Sequence, residues 1–173
     1  MDLTAAVITV SDKGSRGLRE DTSGPALVNL LEENGYRVCY TAMVPDEREE
    51  IRRELLHCAD ELGLCLVLTT GGTGFSPRDV TPEATEEILE RRTPGIPEAM
   101  RAESMRITPM GCLSRETAGI RGNTFIINLP GSKKASTENF SAVIGPVRHG
   151  IEVLRGESSD CAKIHEKGEH HHG

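Results

Sequence analysis

The sequence has no tryptophan, only three phenylalanines and two tyrosines among 173 residues, so any interior it builds must be aliphatic. It lacks an apolar run approaching the roughly 18 residues of a membrane-spanning helix. The N-terminal MDLTAAVITVSDKG has no basic stretch ahead of a long apolar segment, which argues against a secretory signal. Its five cysteines (Cys39, Cys58, Cys65, Cys112 and Cys161) are odd in number and form no CxxC pair, so neither a disulfide framework nor a zinc site is expected. Cys65, inside an apolar run, reads as a small core residue. Positive charge is also short: 20 Lys and Arg face 27 Asp and Glu, for a net charge of -7. That disfavours nucleic acid as a partner, because such domains carry a basic face. A small anionic ligand held by local groups remains compatible with it. A reduced, cytoplasmic protein that does not enter a membrane is expected.

What is present is an alternation of strand-like and helix-like segments. Ala5–Val10 is a short apolar strand. Thr22–Asn34 places Ala26, Leu27, Leu30 and Leu31 on one helical face and stops at Gly35. Tyr36–Val44 reads as a second strand, and Glu47–Leu62 as a helix with Ile51, Leu55, Cys58 and Leu62 in one stripe. Leu64–Thr69 is continuously apolar, as a strand covered on both faces would be. Thr81-Pro82 suggests a helix with Thr81 as N-cap, running to about Arg91, and a further helix covers Pro97–Arg106. Gly119–Gly122 separates two β-like runs, Thr124–Leu129 is another buried strand, and a last helix runs from Thr137. This pattern predicts an α/β fold in three layers, with helices on both faces of a mostly parallel sheet. One domain over 1–156 is expected, followed by a polar tail over 157–173 that contains His170, His171 and His172 and lacks periodicity.

In such sheets ligands bind beyond the carboxyl ends of the strands. Four turns qualify: Ser11–Gly14, Val44–Asp46, Thr70–Gly74 and Leu129–Ser132. The third, TTGGTG, is neither a Walker A loop, since no GK[ST] follows, nor a GxGxxG fingerprint. Its glycines suit an anion cradle, to which Thr69, Thr70 and Thr73 would add hydroxyls, and equally suit a tight turn that needs positive φ. Asp46 reads as an ordinary N-cap before Glu47 or as a metal ligand. Asp79 is left over in its loop if Thr81 caps the next helix. Two carboxylates beside phosphates would suit Mg²⁺ and nucleotidyl transfer. His57, near the apolar stripe, reads as structural.

The blocks LTTGGTGFSPRDVTPEAT, PGIPEAM, ITPMGCLSRETAGIRG and FIINLPGSKKA together resemble the molybdopterin adenylyltransferase family, of the MogA type and most like the gephyrin G domain. The resemblance spans about Ala5–Leu154. It implies a MogA/MoaB-like fold, usually a homotrimer, that transfers AMP from ATP to molybdopterin with Mg²⁺ and passes the product to a molybdenum insertase. It implies catalytic and Mg²⁺-holding roles for Asp46 and Asp79, and nucleotide binding by Gly71, Gly72, Thr73 and Gly74. Ser114, Arg115, Pro130, Gly131 and Ser132 would bind molybdopterin, with Asp12, Asp21, Ser23 and Gly24 at the rim. A non-catalytic molybdopterin carrier or scaffold is the alternative. A tungsten-cofactor member would read the same, because the metal enters after adenylylation.

Overall fold

Strand β1 (Thr4–Val10) shows how the sequence builds its layers. Side chains alternate across a strand, so Ala5 and Val7 enter one core while Ala6, Ile8 and Val10 enter the other. Strands β3 (Leu66–Thr70) and β6 (Thr124–Leu129) repeat this and are buried along their whole lengths. Two-sided burial is why these segments read as unbroken apolar runs. Strand β2 (Arg37–Val44), at one sheet edge, alternates exposed and half-buried residues instead.

The computed structural model describes residues 1–157. With β4 (Arg91–Arg92) and β5 (Ala118–Arg121), the strands form a six-stranded sheet in the order β2-β1-β3-β6-β5-β4. β1 pairs in parallel with β2 and β3, and β3 with β6, whereas β5 runs antiparallel to both β6 and β4. The expected mostly parallel sheet is therefore present, with an antiparallel edge. A four-residue helix α1 (Asp12–Ser15) follows β1. Helices α2 (Ser23–Glu33), α5 (Gly95–Ile107) and α6 (Lys133–Leu154) cover one face through Leu27, Leu31, Met100, Phe140, Val143, Val147 and Ile151. Helices α3 (Arg48–Leu56) and α4 (Thr81–Glu86) cover the other through Ile51, Leu55 and Ala84. The result is the three-layer α/β arrangement.

Several boundaries differ from expectation. α3 gives way at His57–Glu61 to a wider π turn. α4 stops at Glu86 rather than near Arg91, because Arg91 and Arg92 pair with Ile120 and Gly119 as an edge strand. Thr81 is not an N-cap but the first helical residue, and its buried hydroxyl has no hydrogen-bond partner among the described residues. α6 starts at Lys133 rather than Thr137, because Ser132 caps it: Ala135 N donates to Ser132 Oγ at 3.1 Å. His57 pairs with Glu61 and packs its ring edge-on to Tyr40, which is a structural role. Cys58 and Cys65 are buried free thiols. Apart from Glu157, the expected tail and its three histidines lie outside the described residues. Among the described residues, no helix is long and apolar enough to cross a membrane.

Candidate active site

The parallel strands β2, β1, β3 and β6 deliver their following turns to one rim, where a cleft of about 540 Å³ opens. Ser11, Asp12, Asp46, Thr70, Gly72, Asp79, Gly131 and Ser132 line it, so all four predicted turns contribute.

The turns after β1 and β2 are clamped to each other. Asp12 N donates to Asp46 Oδ2 at 3.0 Å, and Asp46 N donates to Asp12 Oδ1 at 2.9 Å. Asp46 therefore does not cap α3, whose N-cap, Glu47, makes no side-chain cap bond either. Burial raises the Asp46 carboxyl above its ordinary value, and the charges of Asp12 and Asp79 push the same way. Asp12 is held below its ordinary value by its hydrogen bonds from Arg78. That guanidinium donates from Nε to Asp12 Oδ2 and from Nη2 to Asp12 Oδ1, both at 3.0 Å, and reaches Glu47 Oε1 at 2.8 Å. Arg78 does not stand out in the sequence. Its place in the PRD triplet is visible there, but its partner Asp12 lies 66 residues away.

The glycine turn is shaped by close approach as well as by conformation. Gly71 has φ of +107°, and a Cβ there would lie 2.2 Å from Val10 O. Gly72 has φ of +70°, and its Cβ would lie 2.2 Å from Thr81 Oγ1 and 3.0 Å from Asp46 Oδ1. At Gly74 a Cβ would be 2.9 Å from Asp79 Oδ2. At its three glycines the turn thus has no room for a side chain beside the two carboxylates. The expected threonine hydroxyls are mostly engaged inside the protein. Thr69 Oγ1 accepts from Asn128 Nδ2 at 3.0 Å, Thr70 Oγ1 donates to Pro130 O at 2.7 Å, and Thr73 is buried. Nor is Asp79 a leftover residue. Ser76 N donates to Asp79 Oδ2 at 3.0 Å and Asp79 N to Ser76 O at 2.9 Å, closing the turn around Pro77 and Arg78.

The remaining rim residues are braced from below. Asp21 accepts from Thr9 Oγ1 at 2.8 Å and from Gly24 N at 2.9 Å. A Cβ at Gly24 would lie 2.4 Å from Asp21 Oδ2. Ser23 Oγ is buried between Thr70 Oγ1 at 2.7 Å and Ser136 Oγ at 2.9 Å, which ties α2, β3 and α6 together. Gly131 approaches Gly71, and Ser132 opens the 22-residue helix α6, so the N-terminal end of that helix lies at the cleft.

Ser114 and Arg115 are not brought to this cleft. They line a second, shallower concavity on the other side of α4, with Glu83, Arg101, Glu116 and Thr117. Among the described residues, no cluster of three or more His, Cys, Asp or Glu is assembled for a metal. A two-carboxylate site completed by water and substrate phosphate is what this donor set allows.

Comparison with known proteins identifies the family. The family described as "Probable molybdopterin binding domain" matches residues 6–149. The molybdopterin adenylyltransferase of Helicobacter pylori (strain ATCC 700392 / 26695) is 41% identical over 152 residues, which is 87% of this chain and 86% of that protein. The Drosophila melanogaster molybdenum cofactor synthesis protein cinnamon is 41% identical over 164 residues, covering 94% of this chain but only 27% of that longer protein. The crystal structure of the molybdopterin biosynthesis enzyme MoaB from Thermus thermophilus superposes with a TM-score of 0.85 at 46% identity, over 89% of this chain and 97% of that one. With matching elements, a matching length and a family match across nearly all of the described sheet, this chain belongs to the probable molybdopterin binding domain family of molybdenum cofactor biosynthesis.

Proposed function

We propose that this chain is a molybdopterin adenylyltransferase of molybdenum cofactor biosynthesis, transferring AMP from ATP to the terminal phosphate of molybdopterin. The observation that carries the reading is the pair Asp46 and Asp79, which flank the glycines of one turn on one cleft. The bacterial relative of similar length that bears this name supports it. In the reaction a phosphate oxygen of molybdopterin attacks the α-phosphorus of ATP, the bond to the β-phosphate oxygen breaks, and pyrophosphate leaves.

The residues divide by what they can do. Gly71, Gly72, Thr73 and Gly74 bring backbone close to the nucleotide phosphates. Pro130, Gly131 and Ser132, at the start of α6, are suited to the molybdopterin phosphate, because N–H groups at a helix start attract anions. Ser114 is assigned to molybdopterin on the resemblance alone. Asp12, Asp21, Ser23 and Gly24 shape the rim. Asp46 and Asp79 fit a Mg²⁺ ion. Their Oδ1 atoms have no hydrogen bond within the described residues, and the mutual repulsion acting on Asp46 favours a cation there. When bound, Mg²⁺ supplies charge neutralisation to the transferring phosphates. The chain's own contribution is alignment of two anionic substrates that would otherwise repel each other. The protein is proposed to be cytoplasmic and homotrimeric, delivering its product to a molybdenum insertase. The exposed apolar side chains Met105, Ile107, Met110 and Leu113 support self-association.

The test is incubation with molybdopterin, ATP and Mg²⁺ followed by mass spectrometry for adenylylated molybdopterin, with Asp79→Asn alongside. Product from the wild type and a loss of about 10²-fold or more in the variant are expected. Tight molybdopterin binding with no product from either protein would instead establish a carrier.

A further inference from the structure

Residues 75–78, between the glycine turn and Asp79, are exposed, with Phe75 at 70% relative exposure. No core holds this excursion, so its position depends on hydrogen bonds: Arg78 at its tip reaches Asp12 and Glu47, and its two ends are held separately. On the side away from Arg78, one residue supplies the bonds at both ends. Arg115 N donates to Thr73 O at 2.8 Å, Arg115 Nε donates to Gly74 O at 2.8 Å, and Arg115 Nη2 donates to Asp79 O at 2.8 Å. Arg115 Nη1 pairs with Glu83 in the first turn of α4. The planar guanidinium thus grips both the outgoing and the returning end of the loop from the side away from the cleft.

Arg115 is itself moored. Arg101 Nη1 donates to Ser114 O at 3.3 Å and to Glu116 O at 2.9 Å, the carbonyls on either side of it. Arg101 projects from α5 next to Met100, which is fully buried in the main core. A continuous chain of contacts therefore runs from the core through Arg101 and Arg115 to the carbonyl of Asp79.

We propose that Arg115 is a positioning residue that sets Asp79 in the cleft through the loop backbone, rather than a group that contacts molybdopterin. This rests on the adenylyltransferase reading for its kinetic consequence, but not for its structural one. A fixed fork of donors matters here, because Lys carries its three donors on one point and cannot span Gly74 and Asp79 together.

The experiment pairs steady-state kinetics with amide hydrogen exchange on the ligand-free protein, for the wild type, Arg115→Lys, Arg115→Met and Glu83→Gln. Faster exchange is expected across residues 74–79 in both Arg115 variants, and to a smaller extent in Glu83→Gln. A fall in kcat of about 10²-fold is expected from misplacement on the scale of 1 Å. KM for molybdopterin should move less than about threefold, since no substrate contact is lost. Unchanged exchange at 74–79 overturns the proposal, as does a rise in molybdopterin KM of about tenfold with kcat intact. If the wild type yields no product, the adenylyltransferase reading falls while the exchange comparison still decides whether Arg115 holds the loop. Should Arg115→Met fail to fold, the Lys and Glu83→Gln variants carry both measurements.

Discussion

The cleft and the concavity behind α4 are built from the same residue types and treat them in opposite ways. In the cleft, Asp12 and Asp46 accept from each other's backbone N–H and Arg78 occupies both oxygens of Asp12, which leaves the Oδ1 atoms of Asp46 and Asp79 without a hydrogen bond among the described residues. Behind α4, the guanidinium groups of Arg101 and Arg115 are turned onto backbone carbonyls, and Glu116 is 2% exposed with neither carboxylate oxygen hydrogen-bonded among the described residues. One region keeps two of its carboxylates available to a ligand. The other uses them to hold the first in place. Charge content alone does not separate a binding site from its scaffold; the partner of each charged group does.

Three changes would break or sharpen that contrast, the loss of turnover first and the effects on stability after it. Asp46→Asn should lower turnover about 10²-fold or more, because a charge that develops its role only with substrate present is removed. The same change should slightly stabilise the fold at pH 7. A carboxyl raised by burial contributes stability that is present below its ordinary value and lost as pH rises through its raised one, so at neutral pH its charge opposes folding. Activity assays and thermal unfolding at pH 7, run on the same preparation, check the opposite signs. Equal losses in both would make Asp46 a structural residue.

Gly71→Ala should destabilise by about 3 kcal/mol or more, since positive φ is compounded by the 2.2 Å approach to Val10 O. Gly122→Ala is the control. Its φ is +56° but nothing lies within 4 Å of an added Cβ, so about 1 kcal/mol is expected. Urea midpoints for the two variants separate the close approach at the site from conformation alone.

The third change concerns Glu116, which burial raises from 4.5 to about 7. Its neutral form fits the fold, so the stability it contributes is complete below pH 4.5 and lost as pH rises through about 7. Glu116→Gln should abolish that slope, which for a rise from 4.5 to about 7 amounts to about 3 kcal/mol by pH 8. Parallel stability–pH profiles for the two proteins would show that the carboxyl is solvated after all.

Much of this is legible from the chain. β1, β3 and β6 announce themselves because strands buried on both faces are mostly apolar, and their few polar side chains are hydrogen-bonded inside. Ser132 at the head of α6 is also in view, but the helix start reads late because two lysines obscure the cap. The end of α4 is not legible: Arg91 and Arg92 leave the helix only because β5 offers them a sheet edge. Asp79 looks unoccupied because Thr81 looks like a cap, whereas the buried Thr81 hydroxyl instead sits against Gly72.

By itself the sequence determined the α/β class, the alternating layers, the glycine turn and the presence of Asp79 beside it. Each of these follows from local periodicity or from steric limits on single residues, which operate within a few positions along the chain. The mutual clamp of Asp12 and Asp46, the Arg78 bridge over 66 residues and the grip of Arg115 on the loop were decided only by the tertiary structure. Hydrogen-bond partners distant in sequence are chosen by where the sheet delivers its turns, and no local pattern encodes that meeting.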